Sequence, residues 1–250
     1  MKLVEVKDYA EMSEFAAKEI IKQVHLKSNS VLGLATGGTP TGTYQYLIND
    51  FKKSDTSYEE VMTVNLDEYI GLDKKNPQSY DYYMKKNLFE HINIKEENTH
   101  LPYAKNIEDQ EAGQKYESLI ESLGGIDLQI LGIGENGHIG FNEPGTSFSS
   151  KTGIVELAES TKQANARYFS SIEEVPTHAI SMGISTIMKS KEILLLVSGI
   201  KKAPILNELM NTDVSEDLPA SILKTHPNVT IIADQEALSV YKETKGSVYS

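Results

Sequence analysis

Residues 30–44 of the chain read SVLGLATGGTPTGTY, and this stretch decides the fold class. A short apolar run ends in two glycines, and a helical pattern then runs from about Pro40 to Lys53. Threonine is favoured at the N-cap of a helix and proline at its first position, so we expect Thr39 to be the N-cap and Pro40 to open the helix. The stretch predicts a strand, a glycine turn and a helix in succession.

The same alternation extends outward in both directions. Before this unit lie a strand in MKLVEV and a helix over residues 8–26. After it come strands in VMTVNLDEYIG, IDLQILGIG, AISMGIST, KEILLLVSG and NVTIIAD, with helices over 80–92 and 108–123 and another from about residue 201. Strands that alternate with helices indicate βαβ units and an α/β fold with a mainly parallel sheet. No repeat or linker interrupts the pattern, so we expect a single domain over residues 1–250.

Composition and charge narrow the classes of function. The chain has 39% hydrophobic and 24% charged residues, as in ordinary globular proteins, and it has no cysteine for disulfides or a thiolate zinc site. It has no apolar run typical of a signal peptide or a membrane span, so we expect a cytoplasmic protein with no membrane partner. The net charge of −12 argues against nucleic acid as a partner. Arg167 is the only arginine, a residue type suited to phosphate capture, although a stray surface arginine is the alternative.

Ligands of open α/β sheets bind beyond the carboxyl ends of the strands, so the loops at those ends are the candidate sites. In the first such loop, Gly37 and Gly38 precede a helix N-terminus, where free backbone N–H groups bind anions such as phosphate. The spacing from Gly37 to Gly42 matches a P-loop, but Thr43 replaces the essential lysine, which argues against nucleoside triphosphate hydrolysis. The alternative is a tight strand–helix turn with no ligand.

Two further strand ends carry charge. In VNLDEYIG, residues 64–71, Asp67 and Glu68 are adjacent, so on a strand they point to opposite faces and only one can enter a shared site. A carboxylate between apolar walls there could be a general base, and a solvated acidic turn is the alternative. In LLLVSGIKKAPIL, Lys201 and Lys202 fall at a helix start, where they oppose the helix dipole and indicate a nearby anion.

The stretch GIGENGHIGFNEPG, residues 132–145, contains the G-x-G-x-x-G spacing of a dinucleotide-binding loop. That loop must open a helix, but glycine, asparagine and proline follow too closely here for a long helix to form. The stretch instead gathers Asn136, His138, Asn142 and Glu143, and a histidine beside a carboxylate is typical of a proton-transfer unit. The alternative is a glycine turn with a hydrogen-bonded histidine.

Together these motifs resemble one family. ATGGTPTGTY, NLDEY, SYDYYMKKNLFEHI, GIGENGHIGFNEPG, TKQANARYF and SGIKKAPIL occur in the order and spacing of the glucosamine-6-phosphate deaminases, across nearly the whole chain. The resemblance implies conversion of glucosamine 6-phosphate to fructose 6-phosphate and ammonia, with a small sugar phosphate as the partner and no metal or other cofactor. It also implies a modified Rossmann-like three-layer sandwich.

The resemblance also implies a role for each matching residue. Asp67 would be the base that moves the C2 proton, and His138 would open the pyranose ring with support from Glu143. A segment over about residues 156–176 resembles the mobile lid of the family. The implied substrate-binding residues are Thr36, Gly37, Gly38, Thr39, Gly134, Arg167 and Lys202.

Two departures from the family pattern bear on these expectations. Asn136 stands where the family has an aspartate that orients the histidine, and an amide brings no charge, so we expect Glu143 to take more of that role. Gly153 and Val155 stand where hexameric, allosteric relatives have an arginine and a lysine that bind a sugar-phosphate activator. We therefore expect a monomer with no allosteric activator site.

Two other functions share part of this pattern. A 6-phosphogluconolactonase has the same fold and similar loops, but ester hydrolysis needs no enolising base, so NLDEY favours the deaminase. A non-catalytic sugar-phosphate sensor would need the phosphate loop without Asp67 and His138. Such a sensor would normally bring a DNA-binding segment, and no basic region or helix-turn-helix precedes residue 30.

Overall fold

The computed structural model describes residues 1–54 and 56–248. The strands are β1 (Lys2–Val6), β2 (Val31–Leu34), β3 (Met62–Asn65), β4 (Asp67–Tyr69), β5 (Thr99–His100), β6 (Leu128–Gly132), β7 (Gly153–Glu156), β8 (His178–Ser181), β9 (Glu192–Val197) and β10 (Val229–Asp234). The helices are α1 (Tyr9–Leu26), α2 (Thr41–Lys53), α3 (Tyr80–Asn87), α4 (Ala112–Ser122), α5 (Glu159–Asn165), α6 (Ile184–Ile187), α7 (Ala203–Asn211) and α8 (Ser239–Val248). Within these residues, no helix combines the length and the apolar character needed to cross a bilayer.

A seven-stranded parallel sheet forms the centre of the molecule, in the order β1-β10-β9-β6-β2-β3-β5. Helices α1, α2 and α3 pack on one face of this sheet, and α4, α6, α7 and α8 pack on the other. Strands covered on both faces are expected to be apolar throughout, as in the buried run of β9. The chain is therefore a Rossmann-like three-layer α/β sandwich, which confirms the predicted fold class.

A second, three-stranded antiparallel sheet has the order β4-β8-β7. The prediction of one continuous strand in VMTVNLDEYIG is wrong, because the chain changes sheets at Leu66. The N–H of Leu66 donates to the carbonyl of Leu34 in the large sheet (3.0 Å), whereas its own carbonyl accepts from the N–H of Met182, just after β8 (2.7 Å). Asp67 therefore begins a new strand, β4, which is paired with β8.

The start of α2 also differs from the prediction. The helix begins at Thr41, and Pro40 occupies the N-cap without a side-chain hydrogen bond, so Thr39 is not the cap. The hydroxyl of Thr41 instead donates to the carbonyl of Gly37 (3.0 Å), closing the preceding turn from inside the helix. Thr39 is thereby left in the loop, where its side chain faces the end of β6.

Candidate active site

The candidate residues lie on loops that leave neighbouring strands of the large sheet. Strands β9, β6, β2 and β3 are consecutive in that sheet and run in the same direction. Lys202 follows β9, His138 follows β6, Gly37 follows β2, and Asp67 follows β3. Because the carboxyl ends of parallel strands meet at one edge, four loops that are distant in sequence come together there.

The loop after β2 presents free backbone N–H groups at this edge. Gly37 has φ +87°, a conformation that a side chain would strain. Its carbonyl accepts a hydrogen bond from the hydroxyl of Tyr83 (2.7 Å), and the carbonyl of Gly38 accepts one from Tyr9 (2.9 Å). In the described part of the chain, the N–H groups of Gly37, Gly38 and Thr39 have no acceptor. The carbonyls of Gly37 and Gly38 are thus hydrogen-bonded, whereas the N–H groups of residues 37–39 are free and precede the N-terminus of α2. This arrangement is suited to binding an anion, and we call residues 37–39 the anion loop.

The threonines on either side of these glycines are partly buried. Thr36 lies two residues after the end of β2, at the entrance to the loop. The Thr39 hydroxyl oxygen lies 3.8 Å from the point where a β-carbon at Gly132, the last residue of β6, would stand. The anion loop is therefore in contact with the end of the strand that leads to His138.

Two cations, Lys202 and Arg167, lie at the same edge of the sheet. Lys202 is half-buried at the N-cap of α7, and burial lowers the pKa of its ammonium group, with repulsion from Arg167 adding to the effect and Glu135 opposing it. Arg167 is exposed between β7 and β8, with its guanidinium carbon 4.8 Å from the ring centroid of Tyr168. The Tyr168 hydroxyl lies 3.8 Å from the β-carbon position of Gly38. Two mutually repelling cations at the edge that also has free N–H groups favour a multiply charged anion as the ligand.

Asp67 and Glu68 point to opposite faces of β4, and they have different roles. Glu68 accepts hydrogen bonds from the backbone N–H groups of Tyr69, Tyr80 and Asp81, each at 2.9 Å. Two of those groups belong to the first turn of α3, so Glu68 caps that helix. The Glu68 carboxylate is therefore engaged in hydrogen bonds from backbone N–H groups.

Asp67 is only 7% exposed, and its Oδ2 lies 3.7 Å from the β-carbon position of Gly140 in the loop after β6. No side chain or backbone group of the described residues donates a hydrogen bond to the Asp67 carboxyl. Burial, with a smaller contribution from the charge of Glu68, raises the pKa of Asp67 to about 8. A carboxyl that titrates close to neutral pH is suited to proton transfer.

The loop after β6 is shaped by glycine so that an imidazole can lie flat against the backbone. The N–H of Gly134 donates to the carbonyl of His138 (2.9 Å), and the N–H of Gly137 donates back to Gly134 (3.1 Å). A β-carbon at Gly134 would lie 2.3–2.5 Å from three atoms of the His138 ring. Gly134, predicted to bind substrate, thus makes room for the ring, and the loop opens no helix of the dinucleotide-binding kind.

Glu143, rather than Asn136, faces the imidazole. Its Oε2 lies 3.4 Å from His138 Nδ1 and accepts a hydrogen bond from the Asn136 amide (2.7 Å). Its Oε1 accepts a hydrogen bond from the hydroxyl of Thr161 in α5. Burial opposes ionisation of Glu143, but interactions with His138, Thr161 and Asn136 outweigh burial and lower its pKa to about 2. Glu143 is therefore a fixed negative charge beside the histidine.

Asn142 does not belong to this proton-transfer unit. Its side-chain amide donates to the carbonyls of Ile139 and Met182, both at 2.8 Å, and so joins the loop to the end of β8. Sequence reasoning missed Thr161, since a threonine in a short helix has no pattern that indicates a contact with a distant carboxylate. The described residues contain no cluster of histidine and acidic side chains arranged to hold a metal ion.

Comparison with known sequences places these motifs among relatives. The model of a family described as glucosamine-6-phosphate isomerases/6-phosphogluconolactonase matches residues 7–232. The chain is similar to the glucosamine-6-phosphate deaminase of Geobacillus sp. (strain WCH70), with 58% identity over 250 residues and 100% of both chains covered. It is 54% identical to that of Shouchella clausii (strain KSM-K16), covering 97% of this chain and 98% of the relative.

The chain is also similar to solved structures. A monomeric glucosamine-6-phosphate deaminase matches with a TM-score of 0.93 and 50% identity, covering 96% of this chain and 100% of its own. The 6-phosphogluconolactonase of Trypanosoma cruzi matches with a TM-score of 0.76, covering 95% of this chain and 96% of its own. At 17% identity, that second likeness shows the fold alone.

Proposed function

The chain belongs to the family of glucosamine-6-phosphate isomerases and 6-phosphogluconolactonases, and from this premise we propose that it converts glucosamine 6-phosphate and water to fructose 6-phosphate and ammonia. Full-length identity of 50–58% to proteins named glucosamine-6-phosphate deaminase supports this reaction over the alternatives. One observation in the site carries the choice. The buried Asp67, with a pKa near 8, is an enolising base that lactone hydrolysis and sugar-phosphate sensing do not require.

The reaction begins with phosphate binding and ring opening. The free N–H groups of the loop Gly37–Thr39, with Arg167 and Lys202, hold the phosphate and fix the position of the sugar. His138, oriented by Glu143, takes the proton of the C1 hydroxyl and delivers a proton to the ring oxygen. The bond between C1 and the ring oxygen breaks, and C1 becomes an aldehyde.

Enolisation and loss of ammonia follow in the open chain. Asp67, as the carboxylate, removes the proton from C2, which the neighbouring aldehyde has made acidic, and an enolamine forms. Return of a proton to C1 gives an iminium at C2. Water adds to this carbon and ammonia leaves, so the oxygen of the new ketone comes from water. We propose on this balance that the net reaction is a hydrolytic deamination that includes an isomerisation step.

We further propose that residues 156–176 form a lid over the site. Three contacts support this role. The Tyr168 hydroxyl lies close to Gly38 in the anion loop, the ring of Phe169 meets Tyr69 edge-on with centroids 5.9 Å apart, and Thr161 bonds Glu143. A lid that brings Arg167 to the phosphate would exclude water during ring opening.

We also propose that the enzyme is monomeric and has no activator site. A monomeric relative with 50% identity supports the first point. Gly153 and Val155, which replace the activator-binding cations of hexameric relatives, support the second. The cytoplasmic location expected from the sequence stays a prediction.

Release of ammonia from glucosamine 6-phosphate tests the proposed reaction. We expect the wild type to release ammonia and fructose 6-phosphate in equal amounts. Asp67→Asn should reduce the rate by about 10²- to 10⁴-fold, because a positioned base contributes about that much. Asp213→Asn, which changes an exposed carboxylate outside the site, is the matched control and should retain the wild-type rate.

Opening of 6-phosphogluconolactone without ammonia release would contradict the assignment. Full activity of Asp67→Asn would leave the reaction in place but contradict the role of Asp67 as the base.

A further inference from the structure

The seven-residue helix α5 buries a single side chain, and that side chain is polar. Thr161 is 5% exposed, whereas its neighbours Glu159 and Ser160 are exposed. A helix that only covers a site would be expected to bury an apolar residue. Here the buried group is a hydroxyl, and its hydrogen bond is to Glu143 Oε1. The buried side of α5 therefore interacts with the Glu143–His138 pair through a hydrogen bond.

This contact completes the set of groups around Glu143. On Oε2, the carboxylate faces His138, its titratable neighbour, and accepts from the neutral Asn136. On Oε1 it accepts from Thr161. His138 and Asn136 belong to the same loop as Glu143, whereas Thr161 comes from the segment between β7 and β8. Movement of that segment away from the site would remove the Thr161 bond and leave Glu143 with partners from its own loop alone.

We propose, building on the proposed function, that Thr161 is a positioning residue for ring opening: its hydroxyl fixes the Glu143 carboxylate toward His138 when α5 lies over the site. The Glu143–His138 pair then has its working geometry only when the lid segment covers the substrate. Ring opening is thereby delayed until the lid segment excludes water. The reactive aldehyde is then generated only in the covered site.

Variants of Thr161 separate this role from simple packing. Thr161→Val removes the hydroxyl at nearly constant shape, and Thr161→Ser keeps it. Ser160→Ala, which removes an exposed hydroxyl one residue earlier in α5, is the matched control. We expect Thr161→Val to lower kcat for ammonia release about 10- to 100-fold with little change in KM, and Thr161→Ser to restore most of the rate.

A titration of Glu143 gives a readout that does not depend on activity. By carboxyl-carbon NMR, we expect the pKa of Glu143 to rise from about 2 by roughly one pH unit in Thr161→Val, because an ionised carboxylate loses a donor. Thr161→Ser and Ser160→Ala should titrate as the wild type. Binding of 2-amino-2-deoxyglucitol 6-phosphate, an analogue that is already open, should be the same in all four proteins.

The outcomes distinguish this inference from the proposed function. If the wild type releases no ammonia, the proposed function fails, and the Glu143 titration still decides whether Thr161 holds the carboxylate. If Thr161→Val has wild-type kcat, or Thr161→Ser is as impaired as Thr161→Val with an unchanged Glu143 titration, the positioning role is overturned. A loss confined to KM or to binding of the open analogue would likewise overturn it.

Discussion

At the scale of single residues, Asp67 shows how function and stability oppose each other. The carboxyl is buried, receives no hydrogen bond from the described residues, and lies near the negative charge of Glu68. Each of these conditions disfavours the ionised form, and each makes the group a better proton acceptor once it is ionised. We therefore expect the folded protein to be less stable because it keeps this buried carboxyl.

The pH dependence of unfolding measures that cost. The folded state retains the Asp67 proton up to about pH 8, whereas the unfolded chain loses it near its ordinary pKa of 3.8. The unfolded state thus binds fewer protons between these values, and the free energy of unfolding falls by about 1.4 kcal/mol per pH unit from this group. Asp67→Asn should therefore be more stable than the wild type at pH 9, by up to about 6 kcal/mol, with a much smaller gain at pH 5. Urea unfolding at the two pH values checks this.

Asp127 provides a control of opposite sign. Burial disfavours its ionised form, but hydrogen bonds from Lys191 and Lys27 outweigh burial and lower its pKa. Its contribution to stability is present above the ordinary pKa and is lost as the pH falls below it, so Asp127→Asn should be destabilised at both pH 5 and pH 9. An Asp67→Asn variant that is no more stable than the wild type at pH 9 would contradict the burial argument.

At the scale of elements, Glu68 connects the base to α3. Its carboxylate accepts three backbone N–H groups, at Tyr69, Tyr80 and Asp81, and an ionised carboxylate is the acceptor-only group that this arrangement needs. An amide of the same shape would direct N–H groups at one of these donors.

We expect Glu68→Gln to lower the free energy of unfolding at pH 7 by about 1–3 kcal/mol, because a buried donor loses its acceptor. Glu97→Gln, which removes an exposed carboxylate, is the control and should change stability by less than about 0.5 kcal/mol. Denaturant unfolding of both variants provides the measurement. Equal stability of Glu68→Gln and wild type would show that the cap is dispensable.

The elements also show what a single sequence can predict. The apolar runs of β2, β6, β9 and β10 predicted the parallel sheet, because strands buried on both faces are recognisable from composition. The break between β3 and β4 could not be predicted, because β4 is defined by pairing with Ser181, more than 100 residues away. Thr161 was missed for a similar reason, since its burial depends on how α5 packs over Glu143. Residue types that carry chemistry could be found from the sequence, but contacts made across the fold could not.

At the scale of the whole molecule, all the residues of the proposed site come from one chain. The anion loop, the base, the histidine and Lys202 all follow strands of the same sheet, and the proposed lid is an internal segment between β7 and β8. None of the proposed roles requires a residue from another copy.

We expect the enzyme to sediment as a monomer of 27.7 kDa and to show hyperbolic kinetics with glucosamine 6-phosphate. N-acetylglucosamine 6-phosphate should not activate it, because Gly153 and Val155 offer no charge to the phosphate of an activator. Sedimentation velocity and initial rates with and without this compound are the measurements. A sigmoidal rate curve that becomes hyperbolic on adding the compound would refute this expectation.

The small antiparallel sheet connects Asp67 to the segment proposed as the lid. Ser181 of β8 is in register with Asp67 on one side and with Gly153, the first residue of β7, on the other. One stem of the proposed lid, β8, is thus joined by backbone hydrogen bonds to the strand that contains Asp67, and the other stem, β7, is joined to β8. Substitutions between residues 157 and 177 that keep Thr161 and Arg167 should not move that anchor, because main-chain pairing is independent of side-chain identity. The attachment of the proposed lid to β4 through β8 is therefore set by the backbone, and its side chains remain free to serve the substrate.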